Sequence, residues 1–573
     1  MADMTGSDIL VHPSILIPMR DGIRLSTLIL RPAQPGRFPV LLARTPYGKT
    51  NEMPNFLLNA VRKGYVIAVQ DVRGTGESEG SFLPLQSEKD DGFDTLQWLT
   101  EQEYTLPRIG MFGGSYVGFT QFAAAASEHP ALATITPRVC TNNPGDFWDN
   151  GRGAFPFQAW LEWTSSAVLS QAALRGPESI RDQFFQFNRT MLEGYSSGKA
   201  YQTLPLEAYP FLGDQRLSPF PLQVLESFGH PEAHIPIPTD SMPAIPTLFI
   251  GGWYDPLTTR HLSSCTIPSG QTPMRLLIGP WDHSADSQVI GDLDFGFHAS
   301  PWILNLPDIL LKWFDFVIKG MKNEFSEKPP VHIFRMGANQ FNNFSSWPPE
   351  DTIEECMYLH SGGQANTCHG NGTLSRFPPE IEPPDRYTYD PADPVPSTGG
   401  ALLRSPLVKT GPRDQSRVES RPDVLVYTST PIEEPLTAAG AVQLTLHVSS
   451  SALDTDFTAR LLDVHPNGRS FNILQSHFRM RYRDPFASPA PIVPGEKYRI
   501  EMNLGATFHT FLPGHSIRLD ISSSDFPYTL RNLNTYEPLL EQKTWTTALN
   551  TLYHAQDIPS FLCLNILQQK MTA

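Results

Sequence analysis

The chain has 573 residues, 40% of them hydrophobic, and a formal net charge of −16. That length exceeds one typical domain and supplies apolar side chains enough for packed cores, while the acidic balance disfavours a nucleic-acid phosphate surface or an anionic membrane as main partner. No basic and apolar leader opens the sequence and no run reaches bilayer-spanning length, so a cytoplasmic protein is the expectation.

Two apolar runs, 15–18 and 25–30, flank Asp21-Gly22, which predicts a hairpin turn. Residues 40–47, 65–70 and 109–114 read as buried strands separated by helical segments such as 92–99, and that alternation predicts a doubly wound parallel sheet of the α/β class. Arg73-Gly74-Thr75-Gly76 lacks the lysine and helix opening of a phosphate loop and reads as a tight loop after a strand. The third strand runs into Gly113-Gly114-Ser115-Tyr116-Val117-Gly118, and an alanine-rich helical segment follows. Glycines on both sides allow a sharp strand-to-helix corner and leave the Ser115 hydroxyl exposed. A serine hydroxyl is a weak nucleophile, so the motif calls for a histidine base and a carboxylate that orients it.

Between about 142 and 238 the pattern changes to aromatic-rich helical segments that include Phe147, Trp148, Trp160, Trp163, Phe184 and Phe185, which predicts a helical insertion capping the sheet. Strand patterns then resume. One begins at Ile245 and ends at Asp255; another runs from Met274 to just before His283. Ser115, Asp255 and His283 follow the chain order of an α/β-hydrolase and all fall at carboxyl ends of strands, where such sheets gather their chemistry. Asp282 competes with Asp255, but neighbouring side chains in an extended segment face opposite ways, which makes it the weaker carboxylate.

From about Pro348 the sequence is proline-rich and strand-like. Val442, Leu444, Leu446 and Val448 alternate with polar residues, and Ile517, Leu519 and Ile521 alternate with Arg518 and Asp520, the pattern of half-buried strands in a β-sandwich. The expected organisation is a hydrolase domain in two parts, 1–141 and 241–347, a cap at 142–240 and a β domain at 348–573. Gly399-Gly400 reads as a turn. The five cysteines are widely spaced with no metal pattern and read as reduced thiols.

These motifs, together with Arg44-Thr45-Pro46-Tyr47, Asp71-Val72-Arg73-Gly74, Asp454-Thr455-Asp456-Phe457, Pro513-Gly514-His515 and Ser522-Ser523-Ser524-Asp525-Phe526-Pro527, are spread over nearly the whole chain. The sequence resembles the family of cocaine esterase, the α-amino-acid ester hydrolases and the X-prolyl dipeptidyl peptidases. The resemblance implies a C-terminal jelly roll and an oxyanion hole made by the Tyr47 hydroxyl and the Tyr116 backbone amide. On pattern alone Tyr47 reads as an aromatic packed on the sheet edge after Pro46. Trp148 and Trp163 match positions that line the acyl pocket in the cocaine-esterase-like enzymes, with core packing of the cap as the other reading, and Leu257 lies where it can close the same pocket. Val117, Leu257 and Thr258 supply none of the acidic groups that hold a substrate ammonium in the amino-acid ester hydrolases, which disfavours a free α-amino substrate.

The expected activity is hydrolysis of a small-molecule carboxylic ester with a bulky apolar or aromatic acyl group, through a seryl acyl-enzyme and with no metal or organic cofactor. A biosynthetic acyltransferase, lactonising or thioester-releasing enzyme with the same triad stays open. Less favoured are an X-prolyl peptidase, because the chain is short for one, and a catalytically silent binding protein. A homodimer is left open.

Overall fold

The computed structural model describes residues 8–568 apart from 52–53, 144, 146–147, 150, 213–217, 229–243, 270–273 and 485–488. Phe147 and the end of the expected cap lie outside the described residues.

Ten strands form the first sheet: β1 (Ile9–Pro18), β2 (Arg24–Pro32), β3 (Phe38–Thr45), β4 (Val66–Asp71), β5 (Thr105–Gly114), β6 (Leu132–Arg138), β7 (Thr247–Tyr254), β8 (Met274–Asp282), β9 (Val331–Arg335) and β10 (Gln340–Phe344). They lie in the order β1-β2-β4-β3-β5-β6-β7-β8-β9-β10. The pairs from β4 to β9 are parallel. At the edges, β1, β2 and β10 run antiparallel to their neighbours, so the sheet is mixed and not purely parallel. The β1–β2 connection is the hairpin expected at Asp21-Gly22, with the Gly22 N–H donating to the Met19 carbonyl at 2.9 Å. Every residue of β4 and of β7 is buried, as expected for strands covered by helices on both faces. Helices α1 (Pro54–Arg62), α2 (Glu88–Thr100) and α3 (Tyr116–Ala125) supply part of that cover. All but the last residue of α3 are buried, which is why its sequence is apolar all round.

The cap contains helices Phe157–Trp163, Ser170–Arg175, Glu178–Ser197 and Phe220–Ser227, with a π-helical turn at Thr164–Leu169. Its aromatic residues pack mainly against one another: the Trp160 ring meets Phe155, Phe157, Tyr209 and Phe211 and is fully buried. The short strand Gly151–Arg152 joins the second sheet beside Ser470–Arg479, so the cap is fastened to the β domain as well as to the hydrolase sheet.

The second sheet system is mostly antiparallel and built around the long strand Leu436–Ser450, which pairs with Tyr498–Phe511, Ala548–Tyr553 and Phe561–Leu567. Val442, Leu444, Leu446, Val448, Ile517, Leu519 and Ile521 are all buried, in agreement with the period-two pattern. Two expectations fail. Asp520 is buried rather than solvent-facing, because the segment carrying Glu419 covers that face and Glu419 pairs with Arg518 at 2.6 Å. The cysteines are not all free: Cys356 and Cys563 form a disulfide, brought opposite each other by the register of Thr352–His360 against Phe561–Leu567. Their separation of 207 residues hides that pairing from any local reading of the sequence. Among the described residues no helix is long and apolar enough to cross a membrane.

Candidate active site

Each residue singled out for chemistry stands at or just past the end of a parallel strand. β5 runs into Gly113-Gly114, and the chain turns at Ser115 into α3. Ser115 has φ 58° and ψ −126°, a strained conformation for a residue with a Cβ. The turn is held by the Ser115 N–H, which donates to the Arg138 carbonyl of β6 at 2.9 Å, and by the Ser115 carbonyl, which accepts from Gly118 and Phe119. The flanking glycines are needed for space: a Cβ on Gly113 would lie 2.2 Å from Val117 Cγ1, and one on Gly118 would lie 2.8 Å from Cys140 Cβ.

His283 follows β8. Its Nε2 lies 3.0 Å from Ser115 Oγ and its Nδ1 lies 2.6 Å from Asp255 Oδ1. Asp255 is fully buried after β7 and caps the helix Pro256–Ser264, its Oδ2 accepting from the Thr258 N–H at 2.7 Å and the Thr258 hydroxyl at 2.6 Å. One carboxylate oxygen is thus occupied by the helix start and the other is aimed at the imidazole. Such a row can take a proton from the serine hydroxyl and stabilise the imidazolium that results. Asp282 is turned to other work: Arg404 of the β domain holds it at 2.5 Å and reaches Asp286 at 2.9 Å.

Tyr47 follows β3 and lines the same cleft as Ser115 and His283. Its hydroxyl accepts from the Trp163 indole N–H at 3.2 Å, and a hydroxyl that accepts in this way donates its own proton more strongly. The Tyr116 amide is the first of α3 and has no carbonyl a turn behind it, so it is open to an oxygen placed above Ser115. The Tyr116 side chain points the other way. Its hydroxyl donates to Glu88 Oε1 at 2.8 Å and accepts from the Leu85 N–H at 2.8 Å. Glu88 pairs with the buried Arg44 at 2.8 Å, and burial pushes the Glu88 carboxyl above its ordinary range despite that partner. Arg44 stands three residues before Tyr47, so one buried network ties together the segments that carry Tyr47 and the Tyr116 amide.

The cleft is narrow and open to solvent. Trp148, Trp163 and Leu257 all line it. Trp163 stacks on the Tyr116 ring with centroids 6.1 Å apart, Trp148 lies 6.1 Å from Trp163, and Phe220 closes against both. The lining residues that were not anticipated include Leu85, Arg260, Leu403 and Tyr528. Arg260 was within reach of sequence reasoning, since helical spacing puts it on the face of Pro256 and Leu257. Leu403 and Tyr528 come from the β domain and carry no local signal. Leu403 sits on a loop whose neck is the Gly400–Gly411 bridge, so Gly399-Gly400 is more than a turn: a Cβ on Gly400 would meet Gln475 Oε1 at 2.2 Å. Burial pushes the Tyr528 hydroxyl up to about 12, which keeps it a neutral donor.

A mixed sheet of this topology, with a strained serine between strand and helix and a C-terminal all-β domain, is the architecture of an α/β-hydrolase of two-domain type. Residues 21–285 match the X-Pro dipeptidyl-peptidase (S15 family) and residues 323–563 match the X-Pro dipeptidyl-peptidase C-terminal non-catalytic domain. The chain is 36% identical to cocaine esterase of Rhodococcus sp. (strain MB1 Bresler), covering 98% of this chain and 99% of that protein, and it therefore belongs to the family that contains cocaine esterase and the X-Pro dipeptidyl-peptidases. Among solved structures it is similar to an α-amino acid ester hydrolase at 25% identity and a TM-score of 0.72, with 99% and 98% of the two chains covered. An aminopeptidase from a marine sediment Thaumarchaeota archaeon shares the fold at 24% identity and a TM-score of 0.72, with 99% of each chain covered.

Proposed function

We propose that the protein hydrolyses carboxylic esters through a seryl acyl-enzyme and accepts a bulky apolar or aromatic acyl group. The observation that carries this reading is the unbroken row from Ser115 Oγ through His283 to buried Asp255, with hydrogen-bond distances of 3.0 and 2.6 Å, opening into an aromatic cleft. In this reading His283 removes the Ser115 proton as the oxygen attacks the ester carbonyl. Asp255 stabilises the imidazolium, and the Tyr47 hydroxyl with the Tyr116 amide holds the oxyanion. Collapse expels the alcohol, which takes its proton from His283, and the same histidine then activates water to release the acid. Trp148, Trp163 and Leu257 form the apolar wall against which the acyl group packs, and apolar walls with a few aimed polar groups are the usual composition of such a site. The similarity to cocaine esterase supports an ester substrate over a peptide.

Intact-protein mass spectrometry after mixing wild type and Ser115→Ala with aryl, alkyl and thioester substrates tests the proposal. A transient acyl adduct on wild type alone, followed by free acid, is the expected result, with aryl acyl groups reacting fastest. An adduct that persists until an alcohol or amine is supplied would replace hydrolysis with acyl transfer, and equal turnover by Ser115→Ala would remove Ser115 from the mechanism.

A further inference from the structure

Pro513-Gly514-His515 is a motif that ester hydrolysis leaves unused. His515 stands just before the strand Ser516–Ser522, and Asp463 lies near the end of the adjacent strand Asp456–Val464, with His465 immediately beyond that strand. His509, on the strand Tyr498–Phe511, completes the group. Asp463 is the hub. Its Oδ1 lies 2.8 Å from His515 Nδ1, and its Oδ2 lies 3.0 Å from His509 Nε2 and 3.8 Å from His465 Nε2. The His465 and His515 rings face each other with centroids 4.4 Å apart. Asp463, His509 and His515 are buried, and all four residues line a pocket between the β domain and the hydrolase sheet, whose wall includes Tyr254 and Met336.

We propose that Asp463, His465 and His515 bind one divalent transition-metal ion of the Zn²⁺ type, with His509 orienting the carboxylate. One potential ligand atom from each of the three residues lies within 4.8 Å of the others. Tetrahedral Zn²⁺ with bonds of about 2.0–2.1 Å needs its ligand atoms roughly 3.3 Å apart; His515 Nδ1 lies 2.8 Å from Asp463 Oδ1 and His465 Nε2 lies 3.8 Å from Oδ2, so the two imidazoles approach the two oxygens of one carboxylate and an ion between them would draw on both. Imidazole and carboxylate donors suit such an ion. A ligating carboxylate is itself usually held by a further hydrogen bond, and His509 Nε2 supplies one. His509 Nδ1, on the side of the ring away from Asp463, is buried in the wall of this pocket with no hydrogen-bond partner. The ion would clamp two β-domain hairpins beside the strand that leads to Asp255, away from the ester cleft, so the proposal is independent of the proposed hydrolysis.

The test is calorimetric titration of metal-stripped full-length protein with Zn²⁺ near neutral pH, with Co²⁺ absorption reporting coordination. One ion per chain is expected, with a tetrahedral Co²⁺ spectrum and a raised Tm. His465→Ala and His515→Ala should each weaken binding by roughly 100-fold or more, and His509→Gln by about 10–100-fold, the usual effect of losing an outer-shell partner. His369→Ala, on an exposed loop outside the cluster, should bind like wild type. His465 is the least buried member, so its variant keeps the test decisive if His515→Ala fails to fold. Absence of saturable Zn²⁺ uptake by wild type, or unchanged uptake in a folded His465→Ala protein, would overturn the proposal and leave the cluster as a hydrogen-bonded clamp.

Discussion

The two sheet systems bury polar groups in opposite ways. In the hydrolase sheet the interior strands are mostly apolar, and Asp255, Thr258, Arg44, Glu88 and Asp71 are buried around the carboxyl ends of the strands. In the β domain, charged pairs are buried through the framework itself: Arg479 with Asp456 at 2.9 Å, Arg481 with Asp454 at 2.5 Å and Arg460 with Asp525 at 3.0 Å. A buried charge therefore means different things in the two halves. At the strand ends it marks, in the proposed mechanism, the reacting groups or what holds them, whereas in the framework pairs of the β domain it marks construction. Substitution of Ser115 or of the Tyr47 hydroxyl should lower turnover and spare stability; breaking a buried pair of the β domain should lower stability and spare turnover.

The largest expected effect is Ser115→Ala. It should lower kcat by roughly 10⁴-fold or more, as loss of a serine nucleophile does elsewhere, with Tm little changed because only a hydroxyl is removed and the backbone at φ 58° stays as it is. Ester hydrolysis and thermal unfolding measured on one preparation decide it. The opposite signature is expected of Asp456→Ala. Asp456 accepts from Arg479 Nε and Nη2 at 2.9 Å each, and removing it leaves a buried guanidinium without its bidentate partner, a loss of about 3–5 kcal/mol in unfolding free energy. Denaturant unfolding would show that loss, while kcat per folded molecule stays at the wild-type value. A drop in kcat without a loss of stability would erase the distinction between the two halves.

Tyr47→Phe sharpens the comparison from the catalytic side. Deleting the hydroxyl should cost about 10²–10³-fold in kcat, the usual effect of losing one oxyanion donor, and little in KM. Trp163→Phe removes the indole N–H that reaches Tyr47 at 3.2 Å, so its effect on kcat should be smaller and should disappear in the Tyr47→Phe background. Additive losses in the double variant would show that Trp163 acts on the acyl group alone.

Why the strand-end residues were legible and the β-domain ones were not follows from where their information lies. Ser115, Asp255 and His283 each stand at or just past the end of an apolar strand pattern, so local sequence places them and chain order assembles them. Tyr47 needed the family resemblance, because nothing around Pro46 separates a donor from a packed aromatic. Leu403 and Tyr528 reach the cleft only through domain docking, although the C-terminal segment matches a domain described as non-catalytic. Asp520 and the Cys356–Cys563 pair depend on what covers a face and on strand register over a long separation, and neither is written in a local period. The alternation at 517–521 identified the strand correctly and misassigned its second face, because period two says that the faces differ but not that one of them is wet.

The smallest effect concerns the wall of the cleft. Glu162 lies next to Trp163 on the helix Phe157–Trp163, and Tyr201 donates to its carboxylate. Burial pushes this carboxyl up to about 7 from an ordinary 4.5, so between those values the folded protein binds more protons than the unfolded chain. Stability from this group is therefore fully present below about 4.5 and is lost as pH rises through about 7. Glu162→Gln keeps the shape and cannot ionise. Its stability relative to wild type should rise with pH across that window, by an amount on the order of 2 kcal/mol, with the two proteins diverging in Tm between weakly acidic and weakly alkaline buffer. Because the ionising group sits beside Trp163, the same titration should loosen the aromatic wall before the rest of the fold, so KM for an aryl ester should rise with pH in wild type and stay level in Glu162→Gln. Parallel KM profiles for the two proteins would place this carboxyl with the structural charges of the β domain rather than with the cleft it adjoins.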